Sequence, residues 1–285
     1  MDRKTQGAIL MILSAMSFAL MQIVIAKTAE RIPLFEQLFF RNLFAAMIAY
    51  VGLRKKRLFP LGDRNNRMLL FLRSAAGYLG MVALFYATAH GSQGDVSIIN
   101  KMSPFIVLLL AALFLREKIA GYQIAGLLLA FLGAAFVLNP QFNSNWFPLA
   151  VAFVAAVFSG IAYTIVSALK GREDPMVIIF FFSAFSTVVT CPVMLAHFVA
   201  PSVADFLLLI LIGVFAAGGQ VLLTYSYAFA KASEVSIFNY SGILFSMLFG
   251  AMFLGQPVKS TSALGAALVI LAGLIVFIGN QKRND

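Results

Sequence analysis

The chain has 285 residues, of which 61% are hydrophobic and only 11% are charged, and its formal net charge is +10. Soluble domains are about half apolar and about a quarter charged, so this composition excludes an ordinary soluble protein and indicates a membrane protein. The positive charge does not indicate nucleic-acid binding, because the basic residues lie in short segments between apolar runs. The single cysteine, Cys191, excludes an internal disulfide and a CxxC metal site.

Ten apolar runs are long enough to cross a bilayer, which takes about 20 residues in a helix. In chain order they predict transmembrane helices at about 7–26, 34–53, 68–90, 96–115, 120–138, 147–169, 176–197, 205–229, 234–254 and 261–279. The runs lack the alternation of polar and apolar residues that a transmembrane β-barrel requires. The first run has no small-residue cleavage site, so we expect it to stay in the protein as a helix.

The lysines and arginines predict the orientation of these helices. With ten spans both termini lie on one side, which receives 15 basic residues, whereas the other side receives three. Cytoplasmic loops of membrane proteins carry the excess of Lys and Arg. Both termini are therefore predicted to be cytoplasmic, and the protein is predicted to lie in the lipid bilayer of a bacterial cytoplasmic (inner) membrane.

The fourth and ninth spans share a motif. "VSIINKMSPF" from Val96 and "VSIFNYSGIL" from Val235 have Val, Ser, Ile and Asn in the same places, at an offset of 139 residues. Polar identities at a fixed offset within apolar helices indicate an internal repeat, with a first copy at 7–138 and a second at 147–279. Each copy holds five helices, an odd number, so the copies are predicted to be inverted. Inverted repeats are an architecture of secondary transporters, whose substrate site lies near the membrane midplane.

The stretch "SPFIVLLLAALFLREKIAGYQIAGLLLAFLGAAFVL" resembles the EamA-like branch of the drug/metabolite transporter superfamily. In that pattern a proline in helix four is followed by a Leu-Arg/Lys/Gly-Glu end and a glycine-spaced helix five. The matching residues here are Pro104, Glu117, Gly126 and Gly133. The second half departs from the pattern, because Ile243 replaces the proline and Gln256 replaces the glutamate. The resemblance implies ten helices in two five-helix halves, with helices one, three, four, six, eight and nine around a cavity. It leaves the substrate open.

Three cations lie inside the predicted spans, where a charge costs about 2.5–3.5 kcal/mol on insertion scales. Arg73 is five residues, or about 7.5 Å, into the third helix, and is predicted to extend back to the interface as a topology anchor. Arg41 and Lys101 enter from the extracellular side to similar depths of about 10 and 9 Å. For Arg41, a structural tie to Glu36, Gln37 or a backbone carbonyl stays open beside a role in the site.

Lys101 is the strongest candidate for a substrate contact. Pro104 removes a helical hydrogen bond and frees the carbonyl of Asn100 beside the lysine. Loosened polar backbone is tolerated at membrane depth only where it faces a cavity or the protein interior. We therefore expect Lys101 to meet an anionic group of the substrate; the alternatives are a lysine reaching the interface or a buried pair with Glu36. Tyr240 takes the lysine's place in the second copy, which predicts a charged wall and a phenolic wall facing each other across the pocket.

The predicted substrate-binding residues are Lys101, Asn100, Tyr240, Asn239, Arg41, Tyr78, Tyr163 and Gln22. The resemblance alone places Tyr78 and Tyr163 where related exporters have cavity-lining aromatics, and ordinary helix packing is the alternative for both tyrosines and for Gln22. The sequence has no phosphate-binding GxxxxGK[ST] and no cluster of acids, histidines or nucleophiles. We therefore expect no catalytic residue, metal ligand or cofactor, and a protein that is not an enzyme.

The predicted function is secondary transport of a small organic solute that carries a carboxylate, an amino acid or an organic acid, by alternating access through a cavity between the repeats. One alternative is transport or exchange of a phosphate-bearing or amine metabolite. Another, of a different class, is a non-transporting membrane sensor or assembly protein. The expected partners are the solute and the bilayer, without nucleic acid. A coupled proton or counter-substrate, the direction of transport, and a monomeric or homodimeric state stay open.

Overall fold

The computed structural model describes residues 2–28, 30–142 and 145–282, and within these ranges the regular structure is helical, without strands. Ten helical spans are long and apolar enough to cross a membrane, and they coincide with the ten predicted runs. The predicted all-helical membrane class is therefore confirmed. The helices are α1 (Arg3–Thr28), α2 (Leu34–Lys56), α3 (Arg67–His90), α4 (Gln93–Asn100), α5 (Ser103–Phe114), α6 (Gly121–Leu138), α7 (Trp146–Ala168), α8 (Pro175–Ala196), α9 (Val203–Phe229), α10 (Ala232–Val235), α11 (Ser241–Leu254) and α12 (Ser260–Lys282).

Two of the ten spans are interrupted, and they are the two that carry the repeated motif. Span four consists of α4 and α5, which are separated by a two-residue turn. Span nine consists of α10, a 3₁₀ turn at Ser236–Tyr240 and α11. The sequence predicts a loosened helix in span four but a continuous one in span nine, so the second interruption is a finding of the structure.

Short polar residues set several helix starts. The Ser92 hydroxyl accepts a hydrogen bond from the backbone N–H of Asp95 at 3.2 Å, and the Asp174 carboxylate accepts one from Met176 at 2.8 Å. Such caps satisfy backbone donors that the first turn of a helix leaves free. At the other end of a span, Gly255 ends α11 in the left-handed region with φ +65°. These boundaries keep each apolar run at the length of a bilayer crossing.

The main helix contacts join the first half of the chain to the second. Span one packs against spans eight and nine, and span six packs in the same way against spans three and four. Span two packs against span seven, and span five against span ten. If each span is replaced by the equivalent span of the other half, the same pairs of spans remain in contact. The halves therefore share one core instead of each having its own, and Leu127 of the first half and Phe238 of the second belong to the same buried cluster.

The two ends of the chain meet on one face of the bundle. We call it the terminal face; it comprises residues 2–5, 54–66, 115–120, 169–174, 230–234 and 280–282. There the Lys4 ammonium lies 3.3 Å from the Glu234 carboxylate and donates a hydrogen bond to the Asn280 carbonyl at 3.1 Å. We call the other end of the bundle the opposite face.

Helices α6 and α12 approach each other through a pair of glycines, Gly133 and Gly265. A Cβ added at Gly265 would lie 2.5 Å from the carbonyl oxygen of Gly133, and one added at Gly133 would lie 2.7 Å from that of Gly265. Because real Cβ atoms do not approach backbone that closely, no other residue fits without moving a helix. Small residues at helix crossings allow this close approach in membranes.

A Gly265→Ala variant is expected to lower the melting temperature of the detergent-purified protein. Alanine is favoured over glycine inside a helix by about 0.5–1 kcal/mol, but overpacking costs about 1–3 kcal/mol, and here the backbone contact decides the sign. The control is Gly121→Ala at the start of α6, where an added Cβ meets nothing within 4 Å. A rise in melting temperature for Gly265→Ala would show that the crossing is looser than the glycine contact requires.

Candidate functional site

The interruption of span four lies at Lys101 and Met102. Pro104, in the first turn of α5, has no backbone N–H, and the N–H of Phe105 donates to the Met102 carbonyl at 2.9 Å. The Lys101 carbonyl therefore lacks its usual helical donor four residues later. The Tyr240 hydroxyl supplies the missing hydrogen bond at 2.6 Å. The backbone opening that the proline predicts is present, and a residue of span nine satisfies it.

Lys101 and Tyr240 are separated by the repeat offset of 139 residues, so equivalent positions of the two halves contact each other. The predicted arrangement of two walls facing each other across a pocket is wrong in this respect. Tyr240 is 1% exposed, and its hydroxyl is engaged by the Lys101 carbonyl. Span nine opens at this position although Ile243 stands where the first half has its proline. Tyr240 therefore supports the backbone at the break, whereas Lys101 keeps its ammonium free for other contacts.

The Lys101 ammonium has no acidic partner within the described residues. Its Nζ lies 6.0 Å from the centroid of the Tyr240 ring, a distance at which a cation is still attracted to the ring face. The alternative of a buried pair with Glu36 is not formed, because one oxygen of Glu36 accepts the N–H of Val199 at 3.1 Å and the other has no partner. Beside the lysine, the buried Oδ1 of Asn100 also has no hydrogen-bond partner.

Arg73 is not an interfacial anchor, and the prediction that its side chain extends back to the membrane surface is wrong. The residue is 2% exposed, and its guanidinium carbon lies 3.8 Å from the centroid of the Phe182 ring on α8. Its Nε and Nη1 have no hydrogen-bond partner among the described residues. The packing of α3 against α7 and α8 holds the side chain inside the bundle.

Arg41 is bound neither to Glu36 nor to Gln37. Its Nη1 donates to the sulfur of Met81 on α3 at 2.7 Å, and its buried Nε has no partner. A thioether is a weak acceptor, so this contact leaves most of the hydrogen-bonding capacity of the guanidinium unused. The Gln37 amide instead donates to the carbonyl of Ile32 at 2.9 Å.

The other predicted site residues lie in different surroundings. The Tyr163 ring on α7 stacks on Tyr227 at 5.9 Å, and Tyr163 lies close enough to Arg41 and Arg73 for electrostatic interaction. Tyr78 accepts a long hydrogen bond of 3.4 Å from the Thr190 hydroxyl. Asn239 is half-buried in the 3₁₀ turn of span nine, whereas Gln22 is exposed on α1. The structure thus places Tyr163 within electrostatic range of the two arginines, whereas a role of the exposed Gln22 in the site stays a prediction.

Two features of the structure could not be predicted from the sequence. The first is the burial of Arg73, since depth along a helix does not tell which neighbour covers a side chain. The second is Glu117, whose carboxylate accepts the backbone N–H groups of Ala232 at 3.2 Å and Ser233 at 3.0 Å. The signal for Glu117 was its place in the family pattern, although nothing in the sequence names its partners.

Two surface cavities lie at the two ends of the bundle. One, of about 420 Å³ on the terminal face, is lined by Asp2, Arg3, Lys4, Lys170, Phe229, Ala230, Lys231 and Glu234. Partial burial lowers the pKa of the Lys170 ammonium, against the attraction of Glu234 and Glu117. The other, of about 380 Å³ on the opposite face, is lined by Ser92, Gly94, Val137, Leu138, Asn139, Gln141, Pro257, Lys259 and Ser262. Neither cavity includes Lys101, Arg41 or Arg73.

A comparison with known families decides the class of this ten-span fold. The profile of the EamA-like transporter family matches the chain twice, over residues 5–139 and 146–278. The chain belongs to the EamA-like transporter family. The resemblance to the EamA-like branch of the drug/metabolite transporter superfamily is confirmed, and this member of the family is an integral membrane transporter of a small solute.

Relatives cover almost the whole chain. The pseudopaline exporter CntI of Pseudomonas aeruginosa is 31% identical over 274 residues, which are 95% of this chain and 96% of the relative. A riboflavin transporter of Rhizobium johnstonii is 27% identical over 286 residues, 99% of this chain and 94% of the relative. Human solute carrier family 35 member G1 is 23% identical over 282 residues, 93% and 77% of the two chains. A crystal structure of a protein that shares 12% identity covers 99% of both chains with a TM-score of 0.85, which supports the fold alone.

Proposed function

We propose that this family member is a secondary transporter of a small organic solute that carries a carboxylate, such as an amino acid or an organic acid. The observation that carries the proposal is Lys101, a cation at an opened turn inside a membrane span, without an acidic partner in the described part of the chain. An unpaired charge in such surroundings costs several kcal/mol, so a protein has little reason to keep it unless an anion binds there.

The surroundings of Lys101 suit a carboxylate with a polar or apolar body. The Tyr240 hydroxyl donates a hydrogen bond to the Lys101 carbonyl at the break, so the Lys101 ammonium is not needed to satisfy that carbonyl. The Asn100 Oδ1 beside it is an unused acceptor among the described residues, which suits the amino group of an amino acid rather than its carboxylate. Relatives named as a pseudopaline exporter and a riboflavin transporter support an organic metabolite as the cargo. On this proposal the solute crosses the membrane without chemical change, in a direction that the experiment below measures.

We further propose that transport proceeds by alternating access between two inverted halves, with both termini in the cytoplasm. The helix contacts support this mechanism, because equivalent spans of the two halves make equivalent contacts and so give two equivalent ways to close the bundle. The excess of Lys and Arg in the segments of the terminal face supports the cytoplasmic assignment. Breaks in spans four and nine lie at equivalent positions, which suits a site between the halves.

The proposal is tested by thermal stabilisation of the detergent-purified protein against carboxylates, amines and phosphates. A ligand at about 100 times its Kd stabilises the folded state by about 2.7 kcal/mol, which corresponds to a shift of a few degrees. We expect carboxylates to stabilise and simple amines not to. Counterflow of the best ligand into proteoliposomes then separates a transporter from a binding protein, and reversed gradients give the direction. Stabilisation by amines alone, or binding without counterflow, would overturn the proposal.

A further inference from the structure

Two buried arginines on neighbouring spans have unused hydrogen-bond donors. Arg73 on α3 is 2% exposed, and its Nε and Nη1 have no partner in the described residues. Arg41 on α2 has a buried Nε without a partner, and its Nη1 meets only the thioether of Met81. A guanidinium carries five N–H donors in a planar fork that matches a carboxylate, so these are donors of the kind that bind an anion.

The described residues supply no acid to this pair. The three ion pairs of the described residues are Lys4–Glu234, Arg31–Asp205 and Lys56–Asp174, all of which involve other cations. Arg41 instead lies within electrostatic range of Arg73, and Tyr163 lies within electrostatic range of both arginines. Two like charges held together inside a bundle are unfavourable, and one anion bound between them turns the repulsion into attraction.

The pair also lies apart from Lys101. Arg73 faces the Phe182 ring of span seven, whereas the Lys101 ammonium faces Tyr240 and Gly242 of span nine. Lys101 is not among the charges that act on either arginine, and neither arginine acts on Lys101, so we take the two groups as separate positions for an anion. A solute that engages both must therefore carry two anionic groups.

We propose that Arg41 and Arg73, with the Tyr163 hydroxyl as a further donor, form a second anion-binding site that takes a second carboxylate of the solute. The inference rests on the proposed function and deepens it: the preferred substrates are dicarboxylates. The guanidinium carbon of Arg73 lies 3.8 Å from the centroid of the Phe182 ring, a contact that leaves the N–H groups of the guanidinium available to a ligand. Met81 leaves Arg41 able to move its donors to the ligand when one arrives.

The test compares matched acids on the detergent-purified protein: succinate against butyrate, and glutarate against valerate. The wild type is expected to bind each dicarboxylate at least tenfold more tightly than its partner, because hydrogen bonds to charged groups are worth about 1.5–3 kcal/mol. Arg73→Gln is expected to weaken dicarboxylate binding at least tenfold and so to abolish this preference. Arg41→Gln, which removes only a contact to Met81, serves as the second variant if Arg73→Gln does not fold.

The control is Arg31→Gln, which removes an arginine that is already paired with Asp205, and it should keep the preference. No dicarboxylate preference in the wild type, or the same preference in both variants, overturns the second site. The two proposals fail differently. If Lys101→Met leaves monocarboxylate binding intact while Arg73→Gln removes the dicarboxylate preference, the arginine site stands and the role of Lys101 falls.

Discussion

A Lys101→Met variant is expected to lose most transport while its melting temperature stays equal or rises. Methionine keeps the length of the side chain but removes the charge, so the anionic group of the solute loses a charge-assisted contact. Such a contact is worth about 1.5–3 kcal/mol, which corresponds to about ten- to hundredfold in affinity. Stability moves the other way, because replacing an unpaired charge inside a bundle by an apolar group removes a desolvation cost. Counterflow in proteoliposomes and a melting curve measure the two effects.

The matched control is Lys27→Met. Lys27 is also a lysine whose Nζ lies 6.0 Å from an aromatic centroid, that of Phe253, but it is exposed in the last turn of α1. We expect it to transport normally. A Lys101→Arg variant separates charge from shape, since it keeps the cation and should retain part of the activity. Normal transport by Lys101→Met would end the argument for an anion at this position, and a large loss of stability would make Lys101 a structural residue.

Hydropathy alone predicts the membrane class and the number of spans, because an apolar run of bilayer length leaves the chain few other solutions. The sequence also predicts the opening of span four, because Pro104 has no backbone N–H to donate, whatever packs around it. The second opening, at Ser236–Tyr240, has no proline and was missed. There the hydroxyl of Tyr240 reaches the Lys101 carbonyl, and a hydrogen bond between the halves is not visible in either segment alone.

The partners of the charged residues could not be predicted from the sequence for the same reason. Depth along a helix indicated that Arg73 was near an interface, but α8 covers it with Phe182. Glu36, five residues from Arg41 along the chain, points to the N–H of Val199 instead. In an apolar bundle most surfaces are alike in composition, so the choice of neighbour depends on shape and small residues, as at Gly133 and Gly265. The sequence indicates which polar side chains enter the bundle, whereas the neighbours that each of them meets could not be predicted.

The two halves differ at the positions that end spans four and nine. Glu117 on the terminal face binds the first two N–H groups of α10, which joins the first half to the second. Its equivalent at the 139-residue offset is Gln256, whose Oε1 lies against Gly250 of its own span. A carboxylate is a stronger acceptor for backbone N–H groups than a carboxamide. The difference between Glu117 and Gln256 therefore favours a bundle that is closed on the terminal face.

A Glu117→Ala variant is expected to open the terminal face. Two hydrogen bonds to a carboxylate, each worth about 1.5–3 kcal/mol, hold the end of span four to the start of span nine. Their loss should raise the labelling rate of a buried reporter, Ala230→Cys in a Cys191→Ser background, by at least about tenfold with a polar maleimide, since 1.4 kcal/mol is tenfold in an equilibrium. Ala230 lines the cavity of the terminal face but is only 2% exposed, so fast labelling requires further opening.

Glu173→Ala is the control for this experiment, because Glu173 also accepts a backbone N–H on the terminal face, from Asp63 at 2.7 Å, but does not join spans four and nine. It should leave the labelling rate of Cys at position 230 unchanged. Glu117→Gln keeps an acceptor without the charge and should give an intermediate rate. Equal labelling in Glu117→Ala and Glu173→Ala would mean that the carboxylate is a helix cap only. A selective increase would make it the latch of the terminal face, because Glu173 also contacts the other half and its loss would not expose the reporter.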